Sequence, residues 1–236
     1  KFSYESPWGL RAGAGVKAES NEPTGDLSFY ELATGNRVQK IRTTELNVSL
    51  KYQPGVTYIN TKQKRVPINL DAPEFGLTHT MGLKGFLGGQ YKYNLTQFSV
   101  YKRQWLGSWG SIDTHVKAGA QWNRVPFPLL IMPPVNPTYI ENEETFSLMN
   151  NMEFLTDRYA FWSVTWDMNG KLLNRVPLIK HLKWREYIAF KGMFGSLTDK
   201  NNPFLPQNAL NTTMFQFPSG SYVMNSRTPY MELVAG

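Results

Sequence analysis

The stretch that most constrains the fold is Ser111–Trp122, SIDTHVKAGAQW, in which two side-chain rows of opposite character alternate without a break. Ile112, Thr114, Val116, Ala118, Ala120 and Trp122 form one row; Asp113, His115, Lys117, Gly119 and Gln121 form the other. A period of two belongs to a β-strand, not to a helix. The alternation is longer than a soluble strand of about 5–6 residues and close to the roughly 9–11 that a tilted membrane strand needs. Such a strand asks for an apolar medium on one side and water on the other.

The pattern recurs. Leu46, Val48, Leu50 and Tyr52 oppose Glu45, Asn47, Ser49 and Lys51 within Arg42–Tyr52. Ala160, Trp162, Val164, Trp166 and Met168 oppose Phe161, Ser163, Thr165 and Asp167. Leu10, Ala12, Ala14, Val16 and Ala18 share one face of a glycine-rich strand. Further strands are predicted at Leu27–Leu32, Val56–Ile59, Val66–Leu70, Phe75–Leu83, Tyr91–Lys102, Arg185–Phe194 and Pro229–Gly236. Phe146–Met168 reads as one very long strand, or as two separated at Thr156–Arg158. In LLNRVPLIKHLKW, Leu172, Val176, Ile179 and Lys183 fall near helical spacing, which suits a short amphipathic connector at a membrane edge or an ordinary loop helix. Leu197–Thr228 is rich in Asn and Pro and reads as a surface loop. The sum is one antiparallel sheet of about ten strands with hairpin connectivity.

Between two of these strands lies Val125–Phe154, a proline-studded apolar loop leading into an alternating stretch. Pro126, Pro128, Pro133, Pro134 and Pro137 cannot donate to a ladder, yet Leu129, Leu130, Ile131 and Met132 are as apolar as a core. The loop must therefore be buried, over the edge of a soluble sandwich or folded into the lumen of a barrel. Its candidate lumen residues are Val125, Pro126, Phe127, Pro128, Leu129, Leu130, Pro133, Pro134, Asn136 and Tyr139. Glu153, Asp157, Arg158 and Asp167 are candidate lumen charges, and Trp105, Trp109, Trp122, Trp162, Trp166 and Trp184 are candidate interfacial aromatics.

Composition narrows the class. No apolar run approaches the roughly 20 residues of a membrane helix, and the mean hydropathy is -0.40. Both are compatible with a transmembrane β-barrel, whose strands average out to mild polarity. The chain has no cysteine, so it has no disulfides or thiolate chemistry. The net charge of +7 is scattered, with its densest group at Lys62, Lys64 and Arg65; a solvated loop fits that group best, and a lipopolysaccharide-facing loop is at least as natural as one facing nucleic acid. His79 and His115 are assigned to polar strand rows and His181 to the basic connector; none has the spacing of a metal ligand set. No HExxH, GxSxG or phosphate loop occurs, so no catalytic, cofactor-binding or metal residue is assigned and a non-enzymatic role is expected.

At VPFPLLIMPPVNPTYIENEETFSLMNNMEFLTDRYAFW, and again at LNRVPLIKHLKWREYIAFKGMFGSL with DKNNP after it, the sequence resembles the DUF5686 family of Bacteroidetes outer-membrane proteins. The resemblance implies an N-terminal carboxypeptidase-regulatory-like β-sandwich joined to a C-terminal barrel similar to the Omp85 group. In that group a long extracellular loop enters the lumen carrying a Val-Arg-Gly-Phe motif. The corresponding Val125–Thr145 lacks that tetrapeptide, so no functional residue is carried over.

The expectation is an all-β, antiparallel transmembrane β-barrel in the bacterial outer membrane, this chain supplying about ten strands of about 16. The chain is read as a segment of a longer protein, within one barrel domain. Its expected partners are outer-membrane lipids, lipopolysaccharide and other outer-membrane or periplasmic envelope proteins. Three roles stay open: an Omp85-like assembly or translocation factor or envelope-complex subunit, a porin-like transporter, and a soluble β-sandwich binding module.

Overall fold

The computed structural model describes residues 2–61, 65–136, 138 and 142–236. In chain order its strands are β1 Phe2–Glu5, β2 Leu10–Asn21, β3 Phe29–Tyr30, β4 Arg37–Val38, β5 Ile41–Tyr52, β6 Tyr58–Asn60 and β7 Arg65–Pro67. They continue with β8 Glu74–Gly82, β9 Tyr93–Trp105, β10 Ser111–Gln121, β11 Arg158–Asp167, β12 Tyr187–Ser196 and β13 Tyr230–Ala235. Nine of them form one antiparallel meander in the order β1-β2-β5-β8-β9-β10-β11-β12-β13, so neighbours in space follow one another along the chain. The remaining four make two-stranded ribbons, β3-β4 and β6-β7, set within longer connections. The sheet is open, with β1 and β13 as its edges.

Register turns the alternation within each strand into continuous rows across the sheet. Tyr4, Ala12, Leu50, Leu77, Phe98, Ala118, Ala160 and Phe194 are successive partners in one row. Leu10, Tyr52, Phe75, Val100, Val116, Trp162, Gly192 and Met231 are successive partners in another on the same face. Many of these apolar side chains stay exposed, among them Tyr4, Leu50, Leu77, Phe98, Val116 and Met231. On the opposite face Arg11, Lys51, Gly76, Ser99, Lys117, Phe161, Met193 and Tyr230 are successive partners. We call these the outer and inner faces.

The packed core lies at one end and on the inner face, not between two sheets. The connections 22–40, 83–92, 122–157 and 197–229 all leave the same end and fold together there. Phe29, Ile41, Tyr93, Val125, Phe127, Leu130, Leu155 and Phe215 form the buried centre of this cap. Phe29, Phe127 and Phe215 meet ring to ring at 5.5–6.4 Å, a geometry that adds to the gain from burial. A second cluster, Phe146, Met149, Phe161, Met193 and Met224, lies against the inner face of β11 and β12.

Three sequence expectations need correction. The predicted strand over Phe146–Met168 exists only from Arg158 onward. Before it, Phe146 and Leu155 are both buried in the core clusters and Met152 takes a positive φ of 60°, so the chain bends through single bridges instead of pairing continuously. The 172–183 stretch forms two short 3-10 turns, Leu173–Arg175 and Ile179–Leu182. Pro177 sits between them, where its missing N–H and ring oppose a continuous helix. The 197–229 connection is irregular as expected, but it is more than surface, because Met214, Phe215 and Met224 are buried.

On an outer row, Gly192 gives a large ring a place to lie. A Cβ on Gly192 would stand 2.2 Å from the ring of its partner Trp162. Replacing Gly192 with alanine is expected to displace that ring and cost about 1–3 kcal/mol of stability, the usual range for overpacking. A lowered denaturation midpoint with altered tryptophan emission would verify it; an unchanged midpoint would show that the indole has somewhere else to go.

Candidate functional site

The inner face of the sheet's second half is a row of polar and charged side chains, and the 122–157 connection is bound to it. Arg103 Nε and a terminal nitrogen donate to the two oxygens of Asp113 at 2.7 and 2.6 Å, and Tyr101 Oη donates to the same carboxylate at 3.0 Å. Next along β10, His115 lies 3.2 Å from Glu143 and 3.3 Å from Glu144, both on the connection. Lys117 Nζ then reaches Glu144 at 2.6 Å. Strand alternation sets this geometry, since Asp113, His115 and Lys117 stand two residues apart and project to one side.

Two further anchors come from β12 and β13. Lys191 is completely buried and donates to the carbonyls of Asn142 and Thr145 at 2.6 and 3.0 Å. Glu232 accepts from the backbone N–H groups of Ser147 and Leu148, both at 2.9 Å, and from Tyr230 Oη at 2.8 Å. Irregular backbone held against a sheet has polar groups to satisfy, and these side chains supply the missing partners.

The base of the connection is fastened by Asp157, also completely buried. It accepts from Thr198 N at 3.0 Å, from Thr198 Oγ1, and from Asn201 Nδ2 at 2.8 Å. Asn201 in turn donates to Asn123 O at 3.1 Å and accepts from Val125 N at 3.1 Å. Arg124 donates to Lys200 O at 2.8 Å, and Lys200 donates to Trp122 O at 2.6 Å. The 122–125 and 198–201 segments are thereby locked side by side.

The predicted site residues are distributed as follows. Val125, Phe127 and Leu130 are core residues of the cap, Pro126 is buried and Leu129 packs against the cluster. Pro128 is the middle residue of a short 3-10 turn, Phe127–Leu129. Pro133 and Pro134 line a cavity of about 230 Å³ between the connection and the inner face, together with Gln97, Lys117, Tyr159 and Met193. Asn136 pairs its backbone with Phe146 at 2.8 Å. Tyr139 and Pro137 lie outside the described residues, as do Lys62 and Lys64.

Of the four charges, Asp157 is the buried fastening, and Asp167 lies at an end of β11 on the inner row, accepting from Asn169 N at 2.8 Å. Glu153 accepts from Asn150 N at 2.9 Å in a local turn. Arg158 pairs with Ala120, which places it on the outer row at the cap end. Trp105, Trp109, Trp166 and Trp184 cluster at the end opposite the cap, Trp122 lies at the cap end, and Trp162 sits in the middle of β11. Trp8, packed 5.9 Å from Tyr52, extends the aromatic group at the non-cap end. His79 also needs correction: it pairs with Val48 and Thr96, so it belongs to the outer row and meets Thr96 Oγ1 at 2.9 Å.

Lys117, Glu144, Lys191, Asn201 and Glu232 were not singled out from the sequence. For Lys191 and Glu232 a signal existed: each is a lone charge on a strand otherwise rich in apolar residues, IAFKGMF and YMELVA. Among the described residues no group of three His, Cys, Asp or Glu side chains is placed to hold a metal ion.

Fold and site together define the class: an all-β antiparallel meander with an apolar outer face and a polar inner face carrying a docked, proline-rich connection. Residues 12–204 match the family described as "Family of unknown function (DUF5686) C-terminal domain", and the chain belongs to that family. Searches of curated proteins and of solved structures each returned no match.

Burial pushes the Glu144 carboxyl up, but the Lys117 hydrogen bond and charge, with His115 beside it, hold it below its ordinary value overall. A depressed carboxylate stabilises the docked state above its unfolded pKa and loses that contribution as pH falls through the folded value. The connection should therefore loosen on acidification below about pH 4, near the ordinary glutamate range. A spin label at Leu148→Cys should gain mobility there, and Glu144→Gln should already show that mobility at neutral pH. Separately, Asp157→Ala strands buried donors and should cost about 3 kcal/mol, measurable by denaturant unfolding.

Proposed function

We propose that this chain forms part of the wall of a bacterial outer-membrane β-barrel, with the 122–157 connection acting as an internal plug and no catalytic role. The observation that carries this reading is the coherence of the outer rows: one continues in register from Tyr4 on β1 to Phe194 on β12 and another from Leu10 on β2 to Met231 on β13, and many of their apolar side chains stay exposed. A contiguous apolar face of this extent is a liability in water and a requirement in lipid. The ten steps from Ile112 to Trp122, at about 3.4 Å each and tilted about 40°, span about 26 Å, against an apolar band about 25 Å tall in outer-membrane barrels. Tryptophans gathered at one end suit an interfacial girdle.

Within that reading an Omp85-like role in outer-membrane protein assembly or translocation, or as a subunit of an envelope complex, is preferred to a porin. The preference rests on the plug, whose anchors at Lys117, Lys191 and Glu232 occupy the polar face along which a water path would run. A soluble sandwich would need a second layer over the outer rows, and those rows are open.

Two measurements test the proposal. The protein should sediment with outer membranes and resist an alkaline wash; release into the soluble fraction would overturn the reading. Val116→Arg, in the middle of an outer row, should cost about 2–4 kcal/mol in folding from lipid vesicles. At a water-facing surface the same change should stay within about 0.5 kcal/mol.

A further inference from the structure

At the end opposite the cap, the connector 168–186 between β11 and β12 is held to the rest of the structure near its base. Its base is closed: Met168 N donates to Glu186 O at 3.0 Å, and Leu172 N donates to the Glu186 carboxylate at 2.7 Å. Beyond that base, neither 3-10 turn contains a buried residue. Leu172, Val176, Leu178, Leu182 and Trp184 are all exposed, Leu178 by 83%. Five apolar side chains displayed within 13 residues are more than the scattered exposure of an ordinary loop.

The same segment is strongly basic. Lys171, Arg175, Lys180, Lys183 and Arg185 outnumber the single carboxylate Glu186, and among the described residues none of the five forms an ion pair. Lys171 is placed over the Trp109 ring at 5.1 Å and donates to Ser108 Oγ at 3.1 Å. The Trp109 carbonyl accepts from Trp166 Nε1 at 3.0 Å, and Trp166 lies on the outer row. The connector therefore continues the apolar outer face sideways at its rim, adding uncompensated cations to exposed leucines.

We infer that this connector is a lipid-headgroup anchor: its leucines and Trp184 enter the acyl boundary beside the rim, and its lysines and arginines take the phosphates of anionic lipids. The inference rests on the membrane reading above and adds a binding site with a defined ligand chemistry. Apolar side chains alternating with cations suit the boundary layer, where apolar burial and attraction to anionic lipid act together. Each cation near an anionic surface strengthens partitioning about fivefold. The long basic side chains can keep their charged heads at phosphate level while their stems cover apolar surface.

The chain has no cysteine, so Leu178→Cys offers a unique attachment point for an environment-sensitive fluorophore. The labelled full chain is reconstituted into vesicles of phosphatidylcholine alone, or with phosphatidylglycerol added, and recovered by flotation. On phosphatidylglycerol vesicles the label should shift to the blue and be quenched by shallowly brominated lipids, and high salt should weaken both effects. Replacing Arg175, Lys180, Lys183 and Arg185 together by glutamine should abolish the difference between the two lipid compositions while flotation persists. A water-like label on floated protein, or an emission indifferent to phosphatidylglycerol, would refute the anchor and leave the barrel reading standing. Failure to float with either vesicle would refute both.

Discussion

Everything in this fold depends on the two-residue period of the antiparallel ladder being kept in phase across nine strands. A slip of one residue between any two neighbours would exchange inner and outer side chains for every strand beyond it. Phase is held by the contents of the rows: most strand charges stand on the inner face, although Phe161 and Met193 are apolar there, and aromatic and aliphatic side chains predominate on the outer. The cross-strand series from Tyr4 through Leu77 to Phe194 has no charged member, whereas the inner series begins Arg11, Lys51. Slippage would set lysines among leucines at a cost no turn could offset.

The cap solves a different problem. Meander connections of 19 residues and more carry many backbone groups and need something to fold around. Here three of them, 22–40, 122–157 and 197–229, share one apolar centre built on Phe29, Phe127 and Phe215. The sheet holds its faces apart in polarity, while the cap brings together elements distant in sequence. The docked connection belongs to both, with Phe127 and Leu155 in the cap and Phe146 against β11 and β12.

Legibility followed periodicity. The long strands β5, β8, β9, β10 and β12 lie within a few residues of where alternation puts them, because a half-buried strand writes its environment into consecutive residues. Phe146–Asp157 misled because Phe146, Phe154 and Leu155 are apolar at mixed spacing, and burial of irregular chain produces the same composition as a strand. The proline loop was legible as a buried element, and the family's presence in the chain agrees with the motifs that suggested it. Its tethers were not legible, since the partners of Lys117 and Lys191 are 27 and 49 residues away in sequence. His79 was misassigned because a lone polar side chain on an apolar row looks, locally, like a member of the other row.

Asp157 has a mechanical meaning that reaches past its own hydrogen bonds. It joins the foot of the docked connection to the 198–201 turn, and that turn grips 122–125 at the connection's other foot. Both hinges of the covering element thus share a single knot. Loosening one foot of the connection therefore disturbs the turn that holds the other, and the Asp157 carboxylate is the group that joins the two.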